Sequence, residues 1–163
     1  MGCALARELS RLDIEVLLVE KANDVATGAS SRNDGCIHPG IDLHLGQLKL
    51  HYVLRGNAMY EGLCKELGCD FERWAQTFMF STKWERYIIA PLMLLKGKIL
   101  GVPDLSFKSP AEMKTVAPHP PPRRTGALYM ASAGALPPYT VSEALAASAV
   151  QTGPQAAPTA RRV

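Results

Sequence analysis

The chain has 163 residues, 47 % hydrophobic and 20 % charged, with a formal net charge of +3 at pH 7. That length supports one domain with a real core. The basic excess is small and scattered, with short pairs at Arg123-Arg124 and Arg161-Arg162, so it reads as an ordinary solvated surface and points to no nucleic acid. Cys3, Cys36, Cys64 and Cys69 form no CxxC pair and fit no zinc spacing, which predicts reduced thiols, no metal site and a cytoplasmic or mitochondrial protein. No apolar run reaches the ~20 residues of a membrane span, and Ile88 to Leu95 is interrupted by Pro91. Met1 leads into a helix without a basic leader, so no signal peptide is expected.

In chain order, residues 2–11 predict a short helix and residues 14–20 a strand. Val16 to Val19 run continuously apolar rather than alternating, which predicts a parallel strand buried on both faces. Gly28 to Gly46 is rich in Gly, Ser, Asn, His and Pro and reads as loop. Leu50, Val53, Leu54, Met59, Leu63 and Leu67 recur at helical spacing and predict a long helix from Leu48 to Leu67, with Gly68 as C-cap. Phe71 and Thr77 to Phe80 suggest short strands. Thr82-Lys83-Trp84-Glu85 resembles a capping box and predicts a helix to about Leu95, kinked near Pro91. Ser109-Pro110-Ala111-Glu112 starts another helix, with Ser as N-cap and Pro at its first position. Gly126 to Ala131 predicts a strand and Thr140 to Gln151 a helix. Pro118 to Arg124 is a surface loop or a polyproline stretch, and 153–163 predicts a disordered tail.

Gly2 to Glu20 looks like the back half of a dinucleotide-binding motif: a helix opened by glycine, then a strand ending in an acid. Gly2 and Ala6 lie four apart, letting small residues approach a sheet, and Glu20 could accept from a ribose hydroxyl. The first strand and first two glycines would lie before Met1. An unrelated helix and strand with a chance acid remains open as the alternative. Ala26 to Gly40 offers glycines for close backbone approach and donors from Ser30, Ser31, Arg32 and Asn33 for phosphate oxygens. Taken alone, that composition equally describes a solvated turn region. His38 could accept a proton, neighbour a cofactor, or be a plain loop histidine. His44, His51 and His119 show no ligand spacing.

Four stretches carry a resemblance: "GCALARELSRLDIEVLLVEK", "NDVATGASSRNDGCIHPGI", "LGQLKLHYVLRGNAMYEGLCKELGCDFER" and "GALYMASAGALPPYTVSEALAASAVQTG". In this order and spacing the chain resembles the FAD-dependent oxidoreductases of the D-amino-acid oxidase superfamily. It is most similar to the glycerol-3-phosphate dehydrogenase and L-2-hydroxyglutarate dehydrogenase branch, from Gly2 to about Gly153. The resemblance implies an α/β fold: a partial FAD-binding, Rossmann-like domain lacking its first strand, with part of an inserted substrate domain. It implies a cofactor region over residues 1–70, substrate-domain residues 71–134, and a returning helix over 135–152. FAD is the implied cofactor. Gly2, Glu20, Lys21, Ser30, Ser31, Arg32, Asn33 and Gly35 are the implied cofactor-binding positions, and His38 the implied catalytic one. Glu20 would bind the adenosine ribose, the Ser30 to Asn33 loop would follow the pyrophosphate and flavin, and His38 would sit near the isoalloxazine ring. The implied function is oxidation of a small hydroxy acid or a glycerol 3-phosphate-like molecule.

The chain departs from that pattern in several places. Asp13 stands where the family often has Gly, the apolar "YIIAPLMLL" is unusual there, and so is the polyproline stretch. The glycine-rich turn is reduced to Gly2 and the family's sequence continues where this chain ends, so the chain reads as truncated at both ends, expected to bind FAD poorly and to be inactive alone. A non-catalytic truncated product and an NAD-binding Rossmann protein are the rival readings. Glu20 would repel a 2′-phosphate, which places NADP last.

Overall fold

A computed structural model describes residues 1–117, 119 and 123–152. Both Pro118 and Pro120 to Pro122, in the expected polyproline stretch, and the expected disordered tail at 153–163 lie outside the described residues. The elements are α1 (Gly2–Ser10), β1 (Cys36–Ile37), α2 (Leu48–Leu67), β2 (Gln76–Phe80), a π-helical turn (Glu85–Ile89), α3 (Ala90–Leu100), β3 (Leu105–Lys108), α4 (Pro110–Val116), β4 (Gly126–Met130), β5 (Gly134–Ala135) and α5 (Pro138–Thr152). They form two compact units: Met1–Cys36, Glu61–Phe71 and Leu136–Val163 make the first, Ile37–Tyr60 and Glu72–Ala135 the second.

In the first unit α1 packs along α5. Ala6, Arg7 and Ser10 are the buried face of α1. Arg7 is 3 % exposed, and its guanidinium is satisfied by Glu8 at 2.7 Å, Glu66 at 2.6 Å and the Ser148 hydroxyl at 3.2 Å. A buried cation needs such partners, because desolvation alone would cost several kcal/mol. Arg11 also reaches Glu66, at 2.6 Å.

Residues 14–20 correct the sequence reading. They form no strand, and Leu17, Leu18 and Val19 are 71, 39 and 72 % exposed. The physical reason is pairing. A doubly buried strand needs a neighbour on each edge and cover on each face. Among the described residues no strand pairs with this segment. The segment does approach α1, since a Cβ on Gly2 would lie 3.3 Å from Leu18 Cδ1.

The second unit is built on a three-stranded antiparallel sheet ordered β2-β4-β3. Phe78 and Phe107 both pair with Leu128, and Gln76 and Leu105 both pair with Met130. Phe80, Leu128 and Met130 turn inward with Ala90 of α3, backed by Met93, Leu94, Leu105 and Phe107. A second cluster joins Leu43 and Leu50 to Leu100 and Val102. β1, whose Ile37 opens this unit, pairs with β5.

Several expectations hold residue for residue. α2 spans Leu48–Leu67 as its periodicity requires, and Gly68 follows with a left-handed φ of 67°. Ser109 and Glu112 close a reciprocal capping box at the start of α4. The Thr82 start is also realised, with Glu85 accepting from the Ser81 and Thr82 amides at 2.7 and 2.9 Å. Pro91 cannot donate to the carbonyl four residues back, and the helix runs as a π turn until Ala90, then as α to Leu100. Phe71 is not in a strand; the adjacent Glu72 makes a single bridge to Ala135. β3 had no counterpart in the sequence reading, and α5 starts two residues early, with Pro138 at its first position.

Candidate functional site

Gly2 opens α1, and the N-cap residue Met1 provides no side-chain hydrogen bond to the first turn. The first amides of the helix are therefore not capped by a side chain. That is the condition in which a helix N-terminus can receive an anion. Glu20 is exposed, and its Oε1 accepts from the Ala22 amide at 3.0 Å. This bond fixes one oxygen of the carboxylate at the end of the extended segment. Lys21 beside it is exposed.

The loop that follows is held by its own side chains. The Ser31 hydroxyl donates to the Ala26 carbonyl, and Ala26 itself takes a left-handed φ of 59°. The Asn33 amide nitrogen donates to the Ala29 and Ser30 carbonyls at 3.0 and 2.9 Å, while its oxygen accepts from the Gly35 amide at 2.9 Å. Asn33 thus acts on the loop backbone through both ends of its side chain. Ser30 and Arg32 are exposed. Gly35 has φ +66°, and a Cβ there would fall 2.1 Å from the Leu136 carbonyl oxygen. The Gly35 carbonyl in turn accepts from the Leu136 amide at 3.1 Å. Only glycine meets both demands.

Two features of this region gave no sequence signal. The Tyr139 hydroxyl donates to Asp24 at 2.7 Å, joining α5 to the 21–36 loop, and that bond to a carboxylate is the main reason its ionisation is pushed up. Burial first, and Asp34 second, push the Cys36 thiol up from its ordinary value. The same holds for Cys64 and Cys69, where burial again leads.

His38 belongs to the second unit, and its side chain is exposed. Its backbone carbonyl accepts from Asn57 Nδ2 at 3.0 Å. Asn57 also donates to the Ser132 carbonyl at 2.9 Å and accepts from Arg73 Nη1 at 2.8 Å. Arg73 Nη2 reaches the Asn57 carbonyl at 3.0 Å, and Arg73 Nη1 also bonds the Ser132 carbonyl. This polar knot positions the His38 backbone. It was invisible in the sequence because Asn57, Arg73 and Ser132 are far apart in the chain. The structure therefore gathers Ser30 to Gly35 into one self-stapled loop and brings Gly2 against the segment that leads to Glu20.

Comparisons with known proteins bear on what this arrangement serves. Residues 1–156 match the family of FAD dependent oxidoreductases. A glycerol 3-phosphate dehydrogenase of Caloramator mitchellensis is 34 % identical over 153 residues, 94 % of this chain and 32 % of that protein. The mitochondrial L-2-hydroxyglutarate dehydrogenase of Dictyostelium discoideum is 26 % identical over 121 residues, 72 % of this chain and 27 % of that protein. Among solved structures, the dithionite-reduced L-alpha-glycerophosphate oxidase of Mycoplasma pneumoniae with FAD bound superposes with a TM-score of 0.81 at 27 % identity, over 93 % of this chain and 40 % of that one. The chain spans about a third of the length of the curated relatives it matches.

Proposed function

Because the chain belongs to the family of FAD-dependent oxidoreductases, we propose that it serves a dehydrogenase or oxidase acting on a small hydroxy acid or a glycerol 3-phosphate-like substrate. The observation that carries this reading is the likeness to the FAD-bound glycerophosphate oxidase across nearly the whole chain. FAD is the cofactor of the family. The residues present fit it at three points: the N-terminus of α1 without a side-chain cap, the carboxylate of Glu20, and the glycine-permitted turn at Gly35.

In this reading the α1 amides at Gly2 hold a phosphate oxygen, and Glu20 accepts from a ribose hydroxyl. Lys21, Ser30 and Arg32 face the anionic part of the cofactor. Ser31 and Asn33 serve it by fixing the loop on which those groups are carried. Residues 72–135 are the part of the substrate domain present here. FAD, when bound, supplies the acceptor of the hydride removed from the substrate carbon. One imidazole nitrogen of His38 takes the proton of the substrate hydroxyl, with the Asn57 knot holding its backbone in place.

The test of the cofactor reading measures the flavin content of the purified chain and of its Glu20→Ala variant. Glu20→Ala should weaken FAD binding by ~1.5–3 kcal/mol, the range for a charge-assisted hydrogen bond. Unchanged flavin content would remove Glu20 from the site. A second reading, a non-catalytic product, is favoured by the open apolar surface at Leu17, Leu18 and Val19. Dye reduction with glycerol 3-phosphate or 2-hydroxyglutarate by the chain alone, carrying stoichiometric flavin, would dismiss it. A chain that takes NAD and no flavin would favour the nicotinamide alternative.

A further inference from the structure

The π turn and α3 are apolar on both sides. Their inner side, through Ala90, Met93, Leu94 and Leu100, packs into the two clusters of the second unit. Gly97 lets that side come close, since a Cβ there would lie 2.1 Å from Leu105 Cδ2. A helix that is hydrophobic all round is normally covered all round. Here the outer side is open: Trp84, Tyr87, Ile88, Leu92, Leu95 and Ile99 are each 55 to 64 % exposed. From Ile88 onward they recur at three- and four-residue steps, so they form one continuous row rather than scattered apolar residues. A contiguous patch of this kind marks an interaction surface.

The charges beside the row say what covers it. Residues 83–100 contain Lys83, Arg86, Lys96 and Lys98 against one acid, Glu85. Glu85 is turned back onto the Ser81 and Thr82 amides. At about 100° per residue, Lys96 and Lys98 fall on opposite sides of the row through Leu92, Leu95 and Ile99. Trp84 and Tyr87 stand at its N-terminal end, and the Arg86 guanidinium lies 5.4 Å from the Tyr87 ring centre. An apolar stripe beside lysines, with aromatic residues at one end, suits a surface that offers apolar contact and anionic headgroups together. A second copy is a poorer occupant. Isologous pairing of this face would bring basic flanks onto a surface whose single acid is already engaged.

We propose that the outer face of the π turn and α3 docks flat on an anionic membrane surface, with the apolar row in the headgroup boundary and the flanking lysines on lipid phosphates. No helix among the described residues is long and apolar enough to cross a membrane. The docking does not depend on FAD or on any activity.

Sedimentation of the full chain with vesicles tests it, using phosphatidylcholine alone and phosphatidylcholine mixed with phosphatidylglycerol. The chain should pellet with the mixed vesicles, and added salt should release it. Leu92→Ser/Leu95→Ser/Ile99→Ser should leave it in the supernatant. Lys96→Glu and Lys98→Glu are surface changes that spare the core. Each should lower partitioning to the mixed vesicles by about fivefold or more, from the ~1 kcal/mol that one cation gains near such a surface. A wild-type chain that ignores both vesicles would overturn the proposal, as would lysine variants that bind as well as wild type. A concentration-dependent dimer abolished by the triple serine change would assign the face to a second copy instead.

Discussion

Asn57→Ala should unfold the second unit far more easily than its conservative size change suggests. Asn57 is 5 % exposed and makes three side-chain hydrogen bonds, to the His38 and Ser132 carbonyls and from Arg73. After truncation the Ser132 carbonyl keeps Arg73 as a donor, and Arg73 keeps the Asn57 backbone carbonyl. Two interactions are lost: the donor to the His38 carbonyl and one of the two acceptors of Arg73 Nη1, which keeps the Ser132 carbonyl. A charged hydrogen bond contributes ~1.5–3 kcal/mol, and a part-buried carbonyl left without its donor costs up to ~1–3 kcal/mol. The expected loss is then ~3–5 kcal/mol, a large fraction of the ~5–15 kcal/mol that a domain has in all. Asn57→Asp keeps the Arg73 partner but sets a carboxylate against two carbonyl oxygens. It should also destabilise, and more at neutral pH than in acid. Urea unfolding followed by circular dichroism measures both. A loss below ~1 kcal/mol for Asn57→Ala would refute the reasoning, since it would mean that water or local relaxation replaces every lost partner.

Gly35→Ala should destabilise the chain in the absence of any cofactor, by ~1–3 kcal/mol or more, because the added methyl meets a backbone carbonyl and the residue sits at positive φ. A wild-type urea midpoint for that variant would show that the turn relaxes freely and that Gly35 is there for a ligand alone. The acid limb offers a second check. Glu85 is held below the usual carboxylate range chiefly by the Thr82 amide, and Glu112 chiefly by the Ser109 hydroxyl. A carboxyl depressed on folding stabilises above its unfolded pKa, and that stability is lost as pH falls through the folded value. The Glu85→Ala/Glu112→Ala chain should therefore show a shallower loss of urea midpoint below the ordinary carboxylate pKa of ~4.3 than wild type does. Parallel curves would deny both carboxyls that role.

Local chemistry was readable from the sequence wherever the determining contacts are local. The Leu48–Leu67 helix follows from apolar spacing along one segment, and α4 from a Ser, a Pro and a Glu within four residues. The family, too, was legible in four ordered stretches whose order and spacing run from Gly2 to about Gly153. What the sequence could not decide is what each segment meets. Val16 to Val19 has the composition of a buried parallel strand, yet a strand exists only through its neighbours, and none pairs with it among the described residues. β3 is too short to stand out until β4 provides its hydrogen bonds. Asn33 carries the donors of a phosphate-binding loop, and only the folded loop shows them turned onto its own backbone. Asn57 sits in a helix with no sign of its role, because its partners at Arg73 and Ser132 arrive from distant parts of the chain. The apolar run after Trp84 stood out in the sequence as a departure from the family pattern. Tertiary packing covered one side of it and left the other open, because a single sheet can cover only one side of a helix.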